Sequence, residues 1–390
     1  MNRRTFLKRA ALATLTLKYT LTHAGSAWAI TVEPIRKGFE SFKVSGTYSQ
    51  IGFQIGRRFS KNIHEIIHRR SEWHLKLLAI LNSKKGRALS NELLANTRTH
   101  FPHILEEIRG MADGSRIRFD NLWAMSIKSE LLSLRADTPG CSSIFYKDTN
   151  NMWLFHNEDG HSAYRDLMFI VKVKPPSGVG FISMVYPGII TGNGPSLNDR
   201  GIVQTTNYIG STRCETGIPR YVIGRAILEA RDTKEAIDIA TMEPRAYPYH
   251  HNIGSIDERK YFSIETTPEA AQVKEPTGQY FHTNHLLFDG TRRYKFEDRE
   301  YTSTSSMSRY EVIEERLNDA NDPPTEPDDF LEILSSHQNA PYSPCRHPEG
   351  NIHGATLGTA FIDLKKGTFR LYCGNPCKAV GDRLYIDFKL

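Results

Sequence analysis

Apolar and polar residues alternate along positions 30–45, the period of a strand, so the chain is expected to open on one. From Gly46 the period lengthens. Ile51, Ile55 and Phe59 fall at helical spacing, and Gly52 and Gly56 share one helix face at i, i+4. Two glycines cost a helix about 1 kcal/mol each in propensity, so a face lined with them predicts close packing against a neighbour. Helical spacing continues through Ile63–Leu81. It returns over Asn91–Met111, where Leu93, Leu94, Ile104, Leu105, Ile108 and Met111 recur, and Gly110 and Gly114 punctuate the end. Asp120 is placed to cap a third helix carrying Leu122, Trp123, Met125, Ile127, Leu131 and Leu132. Asp137-Thr138-Pro139-Gly140 ends the pattern.

At Cys141 the period becomes that of strands. Ser142–Asp148 and Met152–Asn157 flank Thr149-Asn150-Asn151, a hairpin-like connection. Leu167–Lys174, Val179–Tyr186, Ile202–Asn207, Asn252–Ile256, Tyr261–Glu265 and Gln279–Thr283 read as further strands, with helices at Tyr221–Ala230 and Thr233–Met242 among them. Helices at Ser308–Leu317 and Pro327–Ser336 precede strands at Gly354–Leu364, Thr368–Cys373 and Arg383–Phe388. Asn321-Asp322-Pro323-Pro324 is a short polar linker and no domain boundary. Central strand runs with helices before, between and after them suit two stacked antiparallel sheets between helical layers.

Composition changes the picture at the N-terminus. Arg3-Arg4, a mildly apolar run Ala10–Leu21 broken by Lys18, and Ala27-Trp28-Ala29 form a twin-arginine export signal with a small-residue cleavage site, ending at residue 29. The formal net charge is +6, but Arg3, Arg4, Lys8, Arg9 and Lys18 lie in that segment without any acidic residue, leaving the mature chain near +1. The basic balance is therefore no argument for a nucleic-acid partner. No later stretch is long and apolar enough for stable membrane insertion. Expected partners are the twin-arginine export machinery and a small-molecule or peptide substrate, with a periplasmic or secreted location. The five cysteines (Cys141, Cys214, Cys345, Cys373 and Cys377) leave one unpaired in any disulfide scheme. Cys141 is the candidate for the odd thiol; Cys373–Cys377 and Cys214–Cys345 are possible pairs.

The candidate chemistry gathers at Gly140-Cys141. A thiolate activated by a nearby base is a strong nucleophile. If the Gly140–Cys141 bond is cut, the freed amine of Cys141 supplies that base, since a terminal amine titrates near pH 8. Gly140 suits a strained scissile bond because it lacks a Cβ. The bland alternative is a buried structural Cys at a strand start. Asp159, just past the hairpin, is placed to return near Cys141 and hold that amine; an ordinary turn Asp before Gly160 is the alternative. Asn284, in His282-Thr283-Asn284-His285, offers an oxyanion-hole amide. Arg346, in Cys345-Arg346-His347, offers a bidentate cation, against the commoner fate of a surface salt bridge. Ligands for zinc could be drawn from His282, His285, Cys345, His347, Cys373 and Cys377. Because no Cys-x2-Cys pair is present and His-x-x-His in a strand splits its rings between faces, no metal and no cofactor are expected. Trp123, Trp153 and Phe155 either line an acyl pocket or fill the core.

Taken together, the chain resembles the acyl-coenzyme A:isopenicillin N acyltransferase family of N-terminal-nucleophile cysteine hydrolases. The resemblance runs through Gly46–Gly56, Leu105–Gly114, Glu130-Leu131, Gly140-Cys141-Ser142-Ser143, Asn157-Glu158-Asp159, Gly201-Ile202 and Gly217-Ile218-Pro219 with Arg225–Leu228. It continues through His282–His285, Ser306–Arg309, Cys345–His347, Thr356–Asp363 and Gly374–Cys377. It implies an α+β fold, a four-layer αββα sandwich. The precursor would cut itself before Cys141 into a two-chain heterodimer of 30–140 and 141–390 that forms one domain. It implies Cys141 as nucleophile, Asp159 as organising acid, Asn284 as oxyanion or positioning residue and Arg346 as a polar site residue. Where family members often carry a Trp near the acidic motif, this chain has Glu158-Asp159-Gly160. An exported chain is remote from cytosolic coenzyme A thioesters, which favours hydrolysis of an N-acyl amide over acyl transfer. Two other readings are an inactive exported binding module of the same fold and a papain-like Cys/His hydrolase using His282 or His353.

Overall fold

In the computed structural model, the described residues are 39–69, 72–133, 140–292 and 300–389. The expected export signal and Pro139 lie outside them. Fourteen strands are present among the described residues: β1 Glu40–Ser45, β2 Ser142–Lys147, β3 Met152–His161, β4 Phe169–Lys174, β5 Phe181–Val185, β6 Ser196–Asn198, β7 Ile202–Tyr208, β8 Tyr249–Ser255, β9 Lys260–Thr266, β10 Ala271–Lys274, β11 Gln279–His282, β12 Gly354–Asp363, β13 Thr368–Cys373 and β14 Tyr385–Lys389. They form an eight-stranded sheet ordered β1-β4-β5-β6-β7-β8-β9-β10 and a six-stranded sheet ordered β11-β2-β3-β12-β13-β14. All pairings between these strands are antiparallel except β1 with β4, which run parallel because the whole helical segment intervenes between them.

Alternation along β2 and β3 assigns the two faces of the six-stranded sheet. Phe145 stacks on Tyr261 of β9 at 4.1 Å between ring centroids, and Ser143 donates to Asn207 of β7, so these residues face the other sheet. Ile144, Trp153 and Phe155 point outward into a separate apolar cluster with Phe330. Phe155 and Phe330 stack at 5.1 Å, seating the helix Pro327–Ser335 on that face. The eight-stranded sheet is covered by the N-terminal helices and the helix Arg220–Ile227: Phe59 stacks on Phe169 of β4, and Gln204 of β7 donates to the Gly224 carbonyl. The result is a four-layer αββα sandwich of the α+β class.

The glycine-lined helix face packs as the spacing predicts. The helix Tyr48–Arg58 crosses the helix Pro102–Ser115 with backbones in contact. A Cβ on Gly52 would lie 1.9 Å from the Glu107 carbonyl oxygen, and one on Gly110 would lie 2.0 Å from that of Ser49. Buried Glu107 pairs at 2.8 Å with buried Arg225, which also reaches Glu229. This ion pair ties the helical layer to the helix over the sheet.

Several local expectations need correction. The helix expected over Asn91–Met111 is two helices, Lys84–His100 and Pro102–Ser115, divided where Pro102 removes an N–H and starts the second. Asp120 does not cap the third helix; Arg118 occupies the cap position and Asp120 sits in the first turn, favourable to the helix dipole. The strands β6 and β10 are too short for a period to show. Trp123 donates to Ser90 within the helical layer, and Trp153 and Phe155 pack on Phe330, so all three are core and not pocket wall. All five cysteines are free thiols. Among the described residues no helix is long and apolar enough to cross a membrane.

Gly110→Ala is expected to lower unfolding free energy by at least the ~1–3 kcal/mol typical of overpacked sites, because backbone and not a movable side chain meets the new methyl. Urea unfolding against wild type checks this; an equally stable variant would rule out the backbone contact.

Candidate functional site

The hairpin register builds the site. Ser142 pairs with Asn157 across β2 and β3, which sets Cys141 opposite Glu158 and Asp159. Cys141 is 5 % exposed, so its thiol is out of bulk water. The Asp159 backbone N–H donates to Cys141 Sγ at 3.5 Å, and Glu158 Oε1 lies 3.8 Å from the sulfur. Tyr186 donates its hydroxyl to the same Glu158 oxygen at 2.5 Å, while His156 Nε2 meets Glu158 Oε2 at 3.2 Å. His156 Nδ1 in turn reaches Ser143 Oγ at 2.8 Å. Burial, with the negative charges of Glu158 and Asp159, pushes the Cys141 thiol well above its ordinary range, against the weaker pull of the Asp159 N–H and Arg309.

The opposite wall comes from β11 and the helix Glu300–Leu317. Arg309, fully buried, donates through Nη1 to the Cys141 carbonyl at 2.7 Å and to Ser142 Oγ at 2.9 Å. Through Nη2 it donates to Asn284 Oδ1 at 2.6 Å. Asn284 Nδ2 donates to the Tyr208 carbonyl at 2.7 Å, and its backbone N–H to Ser306 Oγ at 2.7 Å. The Asn284 amide is thus held at both ends, and it presses on the residue before the cysteine. A Cβ on Gly140 would fall 2.1 Å from Asn284 Oδ1 and 2.6 Å from Nδ2. Only glycine fits there. The buried Arg309 guanidinium is lowered to about 10 by desolvation, opposed chiefly by the nearby charge of Asp159 and reinforced by that of Arg346.

The Asp159 side chain turns away from the sulfur. Its Oδ1 accepts from Thr356 Oγ1 at 2.7 Å, and Oδ2 is buried without a hydrogen-bond partner. Thr356 Oγ1 also accepts the Arg346 backbone N–H at 2.9 Å, and the Arg346 guanidinium lies over Gly354, where a Cβ would come within 2.5 Å of it. Burial raises the Asp159 carboxyl from 3.8 to about 6, against the pull of Arg346, then Arg309 and the Thr356 hydroxyl.

Of the four residues singled out from sequence, Asn284 meets Gly140 and the Asp159 backbone meets Cys141, while the Asp159 side chain and Arg346 join one step away, through Thr356. Three others complete the site. Glu158 and Tyr186 flank the sulfur, and Arg309 joins the Cys141 carbonyl to Asn284. Glu158 stands beside Asp159 in the sequence, but only the strand alternation, which turns it to the inter-sheet face, separates the two. His282, one candidate for a Cys/His pair, is not available to the sulfur: its Nε2 meets Glu265 at 3.1 Å, its Nδ1 meets the Thr283 carbonyl at 2.8 Å, and its ring stacks on His250. His353 stacks on His161. The strand ends at His282, so His285 lies beyond it and contacts Ser306.

Comparison with known proteins places this geometry. The family model described as acyl-coenzyme A:6-aminopenicillanic acid acyl-transferase matches residues 146–378, more than half of the chain, and the match includes Glu158, Asp159, Asn284, Arg309 and Arg346. The beta-alanyl-dopamine/carcinine hydrolase of Drosophila melanogaster is 25% identical over 377 residues, covering 88% of this chain and 95% of that protein. Among solved structures, a variant of conjugated bile acid hydrolase from Clostridium perfringens matches with a TM-score of 0.39 and 14% identity, over 60% of this chain and 89% of that one.

The raised Asp159 carboxyl has a pH signature. A folded-state value above the unfolded one stabilises the fold below about pH 4, and that contribution is lost as pH rises through about 6. Asp159→Asn is expected to flatten the stability profile across this window. Urea midpoints at pH 4, 5, 6 and 7 check it; parallel profiles for the two proteins would exclude a titrating Asp159.

Proposed function

We propose that this chain, which belongs to the acyl-coenzyme A:6-aminopenicillanic acid acyl-transferase family, is a self-processing cysteine amidohydrolase acting on linear amides of N-acylated small molecules or peptides. At the coarser level it is an enzyme of amide-bond hydrolysis or acyl transfer with the N-terminal-nucleophile fold. The finer reading rests on one observation above all: the bond before Cys141 is clamped between Asn284, against Gly140, and Arg309, on the Cys141 carbonyl. A merely structural cysteine needs neither the glycine nor the buried cation.

In the proposed maturation the Cys141 thiol attacks the Gly140 carbonyl carbon. The new S–C bond replaces the C–N bond, and the Cys141 nitrogen takes the proton that the thiol gives up. Water then hydrolyses the thioester, releasing the Gly140 carboxylate and restoring the thiol. The Asn284 amide carries a second N–H besides the one given to Tyr208 and is the donor for the developing oxyanion; the Asp159 N–H and Glu158 handle the sulfur and its proton. After the cut, the terminal amine of Cys141 becomes the base for substrate turnover. The thiol attacks the substrate carbonyl, the amine passes the proton to the leaving amine, and water frees the acyl group. Asp159 and Arg346 set the charge around that amine.

The sequence before residue 30 supports export by the twin-arginine machinery and a periplasmic or secreted site of action, which favours water over a coenzyme A thioester as the second reactant. The Drosophila relative is a hydrolase of beta-alanyl-dopamine and carcinine, so N-β-alanyl amines head the panel of N-acyl amides to assay.

Intact mass of the purified protein is expected to show two chains divided at Gly140–Cys141, and Cys141→Ala a single uncut chain. Amide hydrolysis by an uncut wild-type chain would defeat the maturation step, and normal division of Cys141→Ala would defeat the nucleophile. Arg309→Met is expected to slow the division on the order of 100-fold, because it frees the Asn284 amide that Arg309 holds in place as the oxyanion donor, and losing one such preorganised donor costs about that much. The time course of chain division after synthesis measures it.

A further inference from the structure

About the segment that carries Arg346, two cysteines and two histidines face one another. Cys345 and His347 flank Arg346; His337 follows the helix Pro327–Ser335, and Cys377 lies in the short helix Pro376–Ala379. Both sulfurs and one ring nitrogen of each histidine all lie within 4.8 Å of one another. His347 Nε2 is 3.6 Å from Cys345 Sγ, 3.5 Å from Cys377 Sγ and 3.2 Å from His337 Nε2. A tetrahedral zinc ion with ordinary Zn–S and Zn–N bonds has S–N edges of about 3.5 Å and N–N edges of about 3.3 Å. The three distances meeting at His347 match those edges.

We infer that His337, Cys345, His347 and Cys377 form a closed, structural zinc site. This revises the expectation of no metal, which turned on the missing Cys-x2-Cys pair and on His282 and His285. The four ligands here come from three segments, and their spacing has no compact signature. Two thiolates and two imidazoles suit zinc, and make a neutral site. An outer shell is also present. Asn375 Nδ2 lies 3.6 Å from Cys345 Sγ and donates to the Arg346 carbonyl at 2.6 Å, while Asn375 Oδ1 accepts from Arg165 at 3.2 Å, which fixes the direction of the amide. Cys345 is buried and its backbone N–H donates to the Ser336 carbonyl at 3.0 Å; His337 is exposed and forms the open edge of the site. The ion pins both neighbours of Arg346 and so holds the backbone whose N–H meets Thr356. The competing fate of this cluster in an exported protein is a Cys345–Cys377 disulfide.

Zinc content of the full chain, purified without chelator and dialysed into metal-free buffer, tests this. About one zinc per chain is expected. Replacing zinc with cobalt(II) is expected to give a thiolate-to-metal charge-transfer band that is absent in the Cys345→Ser/Cys377→Ser variant. Since that variant can fail to fold, His337→Asn at the exposed edge is the second probe: zinc affinity is expected to fall at least 10-fold with the circular dichroism spectrum unchanged. A Cys345–Cys377 disulfide found by peptide mass overturns the site, as does metal-free protein that takes up no added zinc, or an unchanged affinity in His337→Asn.

Discussion

Arg309 is the interaction on which the site's geometry depends. A fully buried guanidinium is costly to place between layers of secondary structure, and here three hydrogen bonds through Nη1 and Nη2 offset that cost while Nε is left without a partner. Here it meets the first residues of β2 and the Asn284 amide after β11, two neighbouring strands of one sheet. The helix Glu300–Leu317 thereby sets the distance between the bond before Cys141 and the amide beside it. The Asp159 charge opposes the desolvation of Arg309, and the charge of Arg309 in turn opposes the desolvation of Asp159. With Arg346, whose charge acts on both, the two form one electrostatic unit.

Around this unit the inter-sheet space is polar to an unusual extent. Ser143, His156, Asn207, His250 and Asn252 are all buried, and they hydrogen-bond to one another across the two sheets. Such a layer specifies register: sliding β2 by one residue would exchange Ser143 for Ile144 and strand several donors without partners. The apolar contacts of Phe145 and Ile144 on either face would be lost in the same slip. The polar layer and the outer aromatic cluster therefore enforce the same alignment that brings Glu158 and Asp159 to Cys141.

Much of this was legible in the linear pattern. The change of period at Cys141, the hairpin at Thr149-Asn150-Asn151 and the glycine face at Gly52 and Gly56 are local signals, and each reports a local structure. Cys141 could be named because it is the odd cysteine at the change of period, and Asp159, Asn284 and Arg346 because they stand in the motifs that carry the family resemblance. Arg309 was hidden for the opposite reason: an arginine within a polar helix reads as a solvated one, and its burial is decided by a strand 168 positions away. Glu158 was obscured by its neighbour, since two adjacent carboxylates differ only in which face of β3 they take. Of the cluster His337, Cys345, His347 and Cys377, the sequence suggested the last three as candidate ligands but not that they meet, and His337 escaped because only the turn after the helix Pro327–Ser335 brings it to them.

The contact between Gly140 and Asn284 bears on which molecules the enzyme can accept. In the proposed reaction a substrate's acyl group must occupy the place that Gly140 holds before the cut, with its carbonyl carbon at the sulfur. The atom next to that carbonyl then sits where the glycine α-carbon sits, and the amide of Asn284 forbids a branch on that side. On that proposal an acyl chain that begins with a plain methylene would enter without displacing Asn284, and a substituent on that side would meet its amide. The glycine before the cleavage point thus doubles as a mould, cast from the chain's own backbone, for the shape of the acyl group that follows it.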